Sequence, residues 1–253
     1  MHVLLHTWLL FKHNFIVTVR NPVYVILALF QPICQLILFA PLLESIESAP
    51  NFPPGGAYTV FTPGLLVMMG ITGALFVGFG FISDMRAGVM ERLQVTPVSR
   101  FALVLSRSLC DMTMFLAQAA ALMVVAWQFG MRPHPLGVLV AVLLFMMVSL
   151  FTSSVSYATA FATADENTFS SILNFLIMPI LMLSGITLPL ALAPLWIRNA
   201  ARFNPFSYAV DASRALFIGN LTDTSVMLGF VVMALMTVVG MYWAFSSFRR
   251  GLA

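Results

Sequence analysis

Charged side chains are scarce in this sequence, so chemistry is possible mainly where they gather. The densest gathering is "SDMRAGVMERLQVTPVSR", residues 83–100, with Asp84, Arg86, Glu91, Arg92 and Arg100. Its middle, "RAGVMERLQV", reads as a short amphipathic helix: Val89, Leu93 and Met90 form an apolar side, while Glu91, Arg92 and Gln94 occupy polar faces. Pro97 stops that helix. A charged face with an apolar ridge suits docking into a groove on a partner protein, and it equally suits a solvated loop. Spacing alone leaves those two readings open.

Other constellations offer different chemistry. His2 and His6 have the i,i+4 spacing for a shared metal, but no Cys or carboxylate stands near to complete a shell, so no metal site is expected. Arg107 and Asp111 lie one turn apart, where a local ion pair satisfies both charges and is favoured over a proton relay. Asp211 and Arg214 can pair in the same way. The sequence contains no GxxxxGK[ST], and so no ATP-hydrolysing loop of its own. Its histidines, His2, His6, His13 and His134, lie outside the predicted spans, and no aspartyl pair has the setting for intramembrane hydrolysis. No catalytic residue is expected.

The elements that must carry these groups follow from composition. The 253 residues are 60% hydrophobic and 8% charged, whereas a soluble domain carries about a quarter charged residues. Such a chain belongs in a bilayer. Charge-free windows run over 21–43, 48–83, 112–131, 133–164, 167–197 and 224–248. Each can supply the roughly 20 residues that cross a hydrocarbon core about 30 Å thick. A transmembrane β-barrel would instead show short alternating segments. The predicted spans are 23–43, 58–82, 101–128, 136–163, 168–188 and 225–247, within one transmembrane domain covering 1–253.

Lys and Arg near the span ends set the orientation. With both termini cytoplasmic, the inner side receives Lys12, Arg20, Arg86, Arg92, Arg100, Arg107, Arg249 and Arg250, and the outer side Arg132, Arg198, Arg202 and Arg214. Eight against four favours this arrangement in a cell (inner or plasma) membrane. A net charge of +3 without a basic, aromatic-interleaved run excludes nucleic acid as a partner. Cys34 and Cys110 fall in or beside spans and are expected to pack as small apolar residues. The N-terminal stretch lacks the cleavage pattern of a secretory signal.

Residues 2–21 place His2, His6, His13 and Arg20 on a stripe about 40° wide, with mostly apolar residues elsewhere, as an interfacial helix would. In the first span Gln31 and Gln35 are expected to find partners on neighbouring helices. Gly70, Ala74 and Gly78 form a small-residue face on the second span, and "TSSVSYATAFAT" suits close packing on the fourth. Asn167 is the expected cap of the fifth helix, which Pro179 should bend. Residues 189–223 are too charged to span and too apolar for a solvated loop. They read as two short helices dipping into the outer leaflet, the second started by Asn204-Pro205. Candidate pathway residues are Phe76, Phe79, Asn174 and Met178.

Two segments carry a family resemblance. One is "FTPGLLVMMGITGALFVGFGFISDMRAGVMERLQVTPVSR" (61–100), with Gly88, Glu91, Arg92, Leu93, Thr96, Pro97, Ser99 and Arg100 in a GxxERL-x-x-TP-x-SR pattern. The other is "LSGITLPLALAPLWIRNAARFNPFSYAVDASRAL" (183–216), with Asn204, Pro205, Tyr208, Asp211 and Arg214. The chain resembles the permease subunits of type-2 ABC exporters, of the drug-resistance and nodulation-factor kind. The resemblance implies an all-α polytopic membrane protein of six transmembrane helices, with an N-terminal interfacial helix, a cytoplasmic coupling helix at 83–100 and short re-entrant outer helices before the last span. It implies a separate ABC ATP-binding subunit, to which Glu91 and Arg92 make polar contacts while Val89 and Leu93 fill its groove and Pro97 fixes the return turn. ATP and Mg would bind that subunit, and no cofactor this chain. A second permease copy, in a homodimer, would complete a pathway for a lipophilic or amphipathic cargo moved by alternating access. The alternative is an ion-coupled exporter without an ATPase, for which Arg107 and Asp111 sit too near one end of their span.

Overall fold

The computed structural model describes residues 8, 11–12, 15–16, 22–45, 47, 54–86, 100–187 and 189–250. Apolar runs without backbone partners in lipid must satisfy their N–H and C=O groups internally, and the described chain does so as helices. They are α1 (Pro22–Glu44), α2 (Ala57–Arg86), α3 (Arg100–Gln128), α4 (Pro135–Thr163), α5 (Glu166–Leu183), a 3-10 turn (Leu190–Leu192), α6 (Leu195–Ala201), α7 (Pro205–Ile218) and α8 (Thr224–Arg250). α2, α3, α4, α5 and α8 are long and apolar enough to cross a membrane, and α1 contains a shorter apolar run, Leu29–Glu44. The chain is a polytopic all-α membrane protein. Of the interfacial stretch, Trp8, Phe11, Lys12, Phe15 and Ile16 are helical, with the Phe11 ring stacked on Trp8 at 5.4 Å and on Phe15 at 5.8 Å. His2, His6, His13 and Arg20 lie outside the described residues.

The fifth helix differs from its expected bounds of 168–188. Asp165, rather than Asn167, caps it, accepting from Thr168 N at 2.9 Å. A carboxylate is a cap of comparable strength to an amide and also complements the helix dipole. The helix ends at Leu183, where the Ser184 hydroxyl donates back to Leu181 O at 2.6 Å. In 189–223 the expected pair of helices is present, preceded by the 3-10 turn. Asn204 caps α7 by accepting from Phe206 N at 3.1 Å, with Pro205 in the first turn.

α2 is the centre of the bundle. Its residues Val60, Phe61, Leu65, Leu66, Val67 and Ile71 are buried almost completely, and α4, α7, α1, α3 and α5 all pack on it. Small residues permit this. A side chain at Gly78 would collide with the Phe169 ring and meet Ser156 Oγ at 2.7 Å. In its place the Gly78 N–H donates to Ser156 Oγ at 2.9 Å, and the Ser156 hydroxyl donates to Leu75 O at 2.6 Å. The hydroxyl-rich run of α4 thus closes a polar seam against α2. α4 meets α7 still more closely, because a Cβ at Gly137 would run into the carbonyl oxygen of Leu216. Gln31 is exposed, and the buried Oε1 of Gln35 has no hydrogen-bond partner among the described residues. Among the described residues the Gln35 carbonyl oxygen therefore lacks the expected interhelical contact. Cys34 is half-buried and Cys110 is buried, and neither forms a disulfide among the described residues.

Backbone cannot rotate away as a side chain can, so the Gly137 contact should be intolerant. Gly137→Ala is expected to destabilise the purified protein by about 1–3 kcal/mol through overpacking. Gly73→Ala and Gly80→Ala, whose added Cβ meets nothing within 4 Å, should be neutral or gain up to about 1 kcal/mol of helix propensity. Thermal unfolding in detergent separates the two classes.

Candidate functional site

The sequence points to the segment that follows α2. Gly88, Val89, Glu91, Arg92, Leu93, Thr96, Pro97 and Ser99 lie outside the described residues, and Arg100 is placed only as the first residue of α3. What the structure defines is the platform from which the segment departs. α2 ends at Arg86, whose Nη2 donates to Asp165 Oδ1 at 3.0 Å while its Nη1 lies 3.5 Å from Glu166 Oε1. The other oxygen of Asp165 is occupied with capping α5, accepting from Thr168 N and from the Thr168 hydroxyl, both at 2.9 Å. One carboxylate therefore joins the end of α2 to the start of α5.

Those hydrogen bonds, with Arg86 beside them, hold the Asp165 carboxyl below the usual carboxylate range. A lowered pKa contributes stabilisation that is present above the unfolded value and lost only as pH falls through the lowered one. The clamp is therefore complete at neutral pH. All three side chains are half-exposed, so the pairs are screened by solvent and add little to stability. They orient the helix ends more than they stabilise the fold.

Just above the clamp, Phe79 stacks on Phe76 at 5.9 Å and meets Phe169 of α5 edge-on at 4.9 Å. Phe79 packs against the core and Phe76 is exposed. Asn174 and Met178 follow on the exposed face of α5, where the Asn174 amide donates to Ser170 O at 3.0 Å. The pathway candidates thus comprise an aromatic cluster bridging α2 and α5 and two exposed positions on α5. Arg107 lies on α3, its side chain outside the described residues. Asp111, its expected partner, accepts from the Tyr157 hydroxyl at 3.3 Å, a link from α3 to α4 that helical spacing could not reveal.

At the opposite end, the arginines that weakened the charge bias are mostly consumed by backbone. Arg214 is buried, 6% exposed. Its Nε donates to Val60 O at 3.0 Å, and its Nη2 to Gly185 O at 2.7 Å and Ile186 O at 3.4 Å. The expected pairing with Asp211 exists at 3.8 Å, but it is longer than the carbonyl bonds. The guanidinium therefore ties α7 to the start of α2 and the chain leaving α5. Arg132 donates to Trp127 O and Met131 O, each at 3.2 Å, with its guanidinium 5.7 Å from the Trp127 ring. Arg198 donates to the carbonyls of Leu190, Ala191 and Ala193.

A lysine keeps the charge at position 214 but lacks the fork that reaches three carbonyls. Arg214→Lys is expected to cost about 2–3 kcal/mol, because buried acceptors lose their donors. A fall in the thermal midpoint of the purified variant, with membrane insertion unchanged, is the outcome that checks this.

The chain matches the ABC-2 type transporter family over residues 6–218. It is 26% identical to the putative transport permease ycf38 of Cyanophora paradoxa over 214 residues, covering 83% of this chain and 73% of the relative. It is 25% identical over 206 residues to the probable doxorubicin resistance ABC transporter permease protein DrrC of Mycobacterium tuberculosis, covering 79% and 72%. The probable multidrug ABC transporter permease YbhR of Escherichia coli K12 is 20% identical over 193 residues, covering 74% of this chain and 51% of that relative. Multi-pass apolar helices and a match over most of the sequence agree: the chain belongs to the ABC-2 type transporter family.

Proposed function

We propose that this permease is the membrane subunit of an ATP-driven exporter, with a separate ATP-binding subunit docked on residues 83–100 on the cytoplasmic side. The observation that supports this reading best is the junction at Arg86. α2, a helix of 30 residues and so about 45 Å long, delivers its end to the docking segment, and the Arg86–Asp165–Glu166 clamp joins that end to α5. A push on the segment would move α2 and α5 together rather than bend a free loop.

In this reading the termini and the clamp face the cytoplasm, and the end carrying α6 and α7 faces outward. Two copies of the chain enclose the pathway. Phe76, Asn174 and Met178, exposed on one protomer, line the side of α2 and α5 along which cargo passes. The names of the relatives, a multidrug permease and a doxorubicin resistance permease, favour a lipophilic or amphipathic cargo. Apolar walls bind such molecules without charged partners. Alternating exposure then follows from tilting α2 and α5 about their better-anchored outer ends.

The direct experiment is co-purification of the tagged permease with ABC ATP-binding subunits from its host, followed by ATP-dependent uptake of an amphipathic dye into inside-out vesicles. Glu91→Arg or Leu93→Asp should abolish uptake while the permease remains inserted. Uptake at the parental rate in both variants, or uptake by the permease alone, overturns the docking assignment. The clamp yields a finer prediction. Because its pairs are solvent-screened, Arg86→Gln should leave the thermal midpoint almost unchanged. It should nonetheless lower dye transported per ATP hydrolysed several-fold, and Arg86→Lys, which retains one ionic contact, should recover most of the loss.

A further inference from the structure

Of the four arginines at the α6–α7 end, three have their donors on backbone carbonyls. The fourth, Arg202, has no side-chain partner among the described residues. Its backbone alone is engaged, the N–H donating to Arg198 O at 3.3 Å and the carbonyl accepting from the Tyr208 hydroxyl at 3.0 Å. That bond holds the turn after α6 in place, and Arg202 stands with Arg198, Tyr208, Ser207 and Asp211 around an open cleft of about 240 Å³. The volume is below the roughly 300 Å³ at which drug-sized pockets begin. It suits a headgroup rather than a cargo molecule.

Charge defines what would enter. Arg198 spends Nε and Nη2 on carbonyls and keeps Nη1, and Arg202 brings a whole guanidinium. Asp211 opposes them from the cleft wall, but Arg214 stands behind it at 3.8 Å. The balance is positive, and guanidinium forks match phosphate oxygens in pairs. Position defines how the anion would arrive. Trp196, on the helix that carries Arg198, is 70% exposed, and Phe203, next to Arg202, is 90% exposed. Exposed aromatic rings beside arginines, at the end of apolar helices, are the arrangement found at headgroup depth. We infer that the α6–α7 cleft binds the phosphate of a lipid headgroup, with Arg202 as the principal contact and Arg198 as the second.

This site is separate from the coupling segment and requires neither ATP nor a partner subunit, so its test is independent of the proposed function. The purified full chain in detergent is titrated with short-chain phosphatidylglycerol, or with the matching diacylglycerol, and retained lipid is counted by native mass spectrometry. Phosphatidylglycerol should be retained and diacylglycerol not. Arg202→Gln, at an exposed position, should keep the parental thermal midpoint yet bind phosphatidylglycerol about tenfold more weakly. Asp211→Asn, which removes the opposing carboxylate, should bind it more tightly. Equal retention of the two lipids overturns the inference, as does parental binding by Arg202→Gln or weaker binding by Asp211→Asn. Inorganic phosphate added as competitor should not displace the lipid. Full displacement would assign the cleft to a soluble anion and overturn the lipid reading.

Discussion

Hydrocarbon cannot hydrogen-bond, and that single deficiency organises this molecule. Every polar group placed among the helices must find a partner in protein, since each unsatisfied one costs several kcal/mol. Helices answer this for the backbone, but at helix ends and breaks carbonyls are left over. Arg132, Arg198 and Arg214 supply the donors there, each to two or three oxygens. In the proposed orientation they sit on the outer side, which a counting rule for positive charge would leave poor in arginine. The rule concerns charges that must remain in water during insertion; these serve as multidentate caps.

The same constraint explains why the central helix is lined with small residues. Lipid offers no hydrophobic drive between helices, so close packing and short polar bonds must hold them. A methyl group at Gly78 would collide with the Phe169 ring and one at Gly137 with the Leu216 backbone, and Ser156 bridges α4 to α2 with two hydrogen bonds. The broad exposed stripes of α5 and α8, with Phe175, Met182, Val231 and Val238, need no such partners. Such apolar surface is compatible with acyl chains.

How much of this could be read in the sequence follows from which interactions are local. Six long helices were legible because absence of charge is a property of composition, and the Asn204-Pro205 start of α7 because a cap and its proline are adjacent. The Gly70–Ala74–Gly78 spacing announced a close approach. What could not be read joins distant residues: Arg86 to Asp165, Arg214 to Val60 and Gly185, Tyr157 to Asp111. Asn167 was the expected cap of α5 because an amide looks as competent as a carboxylate, and only the bond to Thr168 selects Asp165. The ion pair of Asp211 with Arg214 was foreseen from their spacing, but it is the lesser part of what Arg214 does. Three backbone carbonyls carry no residue-type signal.

The two ends of the bundle are fastened with different strengths, and the difference has a mechanical meaning. At the α6–α7 end, α2 is held by a buried guanidinium donating to its backbone at Val60, and α4 by the backbone contact between Gly137 and Leu216. The first is buried and carries hydrogen bonds from a charged donor, worth about 1.5–3 kcal/mol each, and the second is close backbone packing. At the other end, the terminus of α2 is held by half-exposed ion pairs that solvent screens. A stiff rod fixed firmly at one end and lightly at the other pivots about the firm end. If force enters at residues 83–100, the lightly held end is the one that should move. It should carry α5 with it, because one Asp165 oxygen accepts from Arg86 at the end of α2 while the other caps α5.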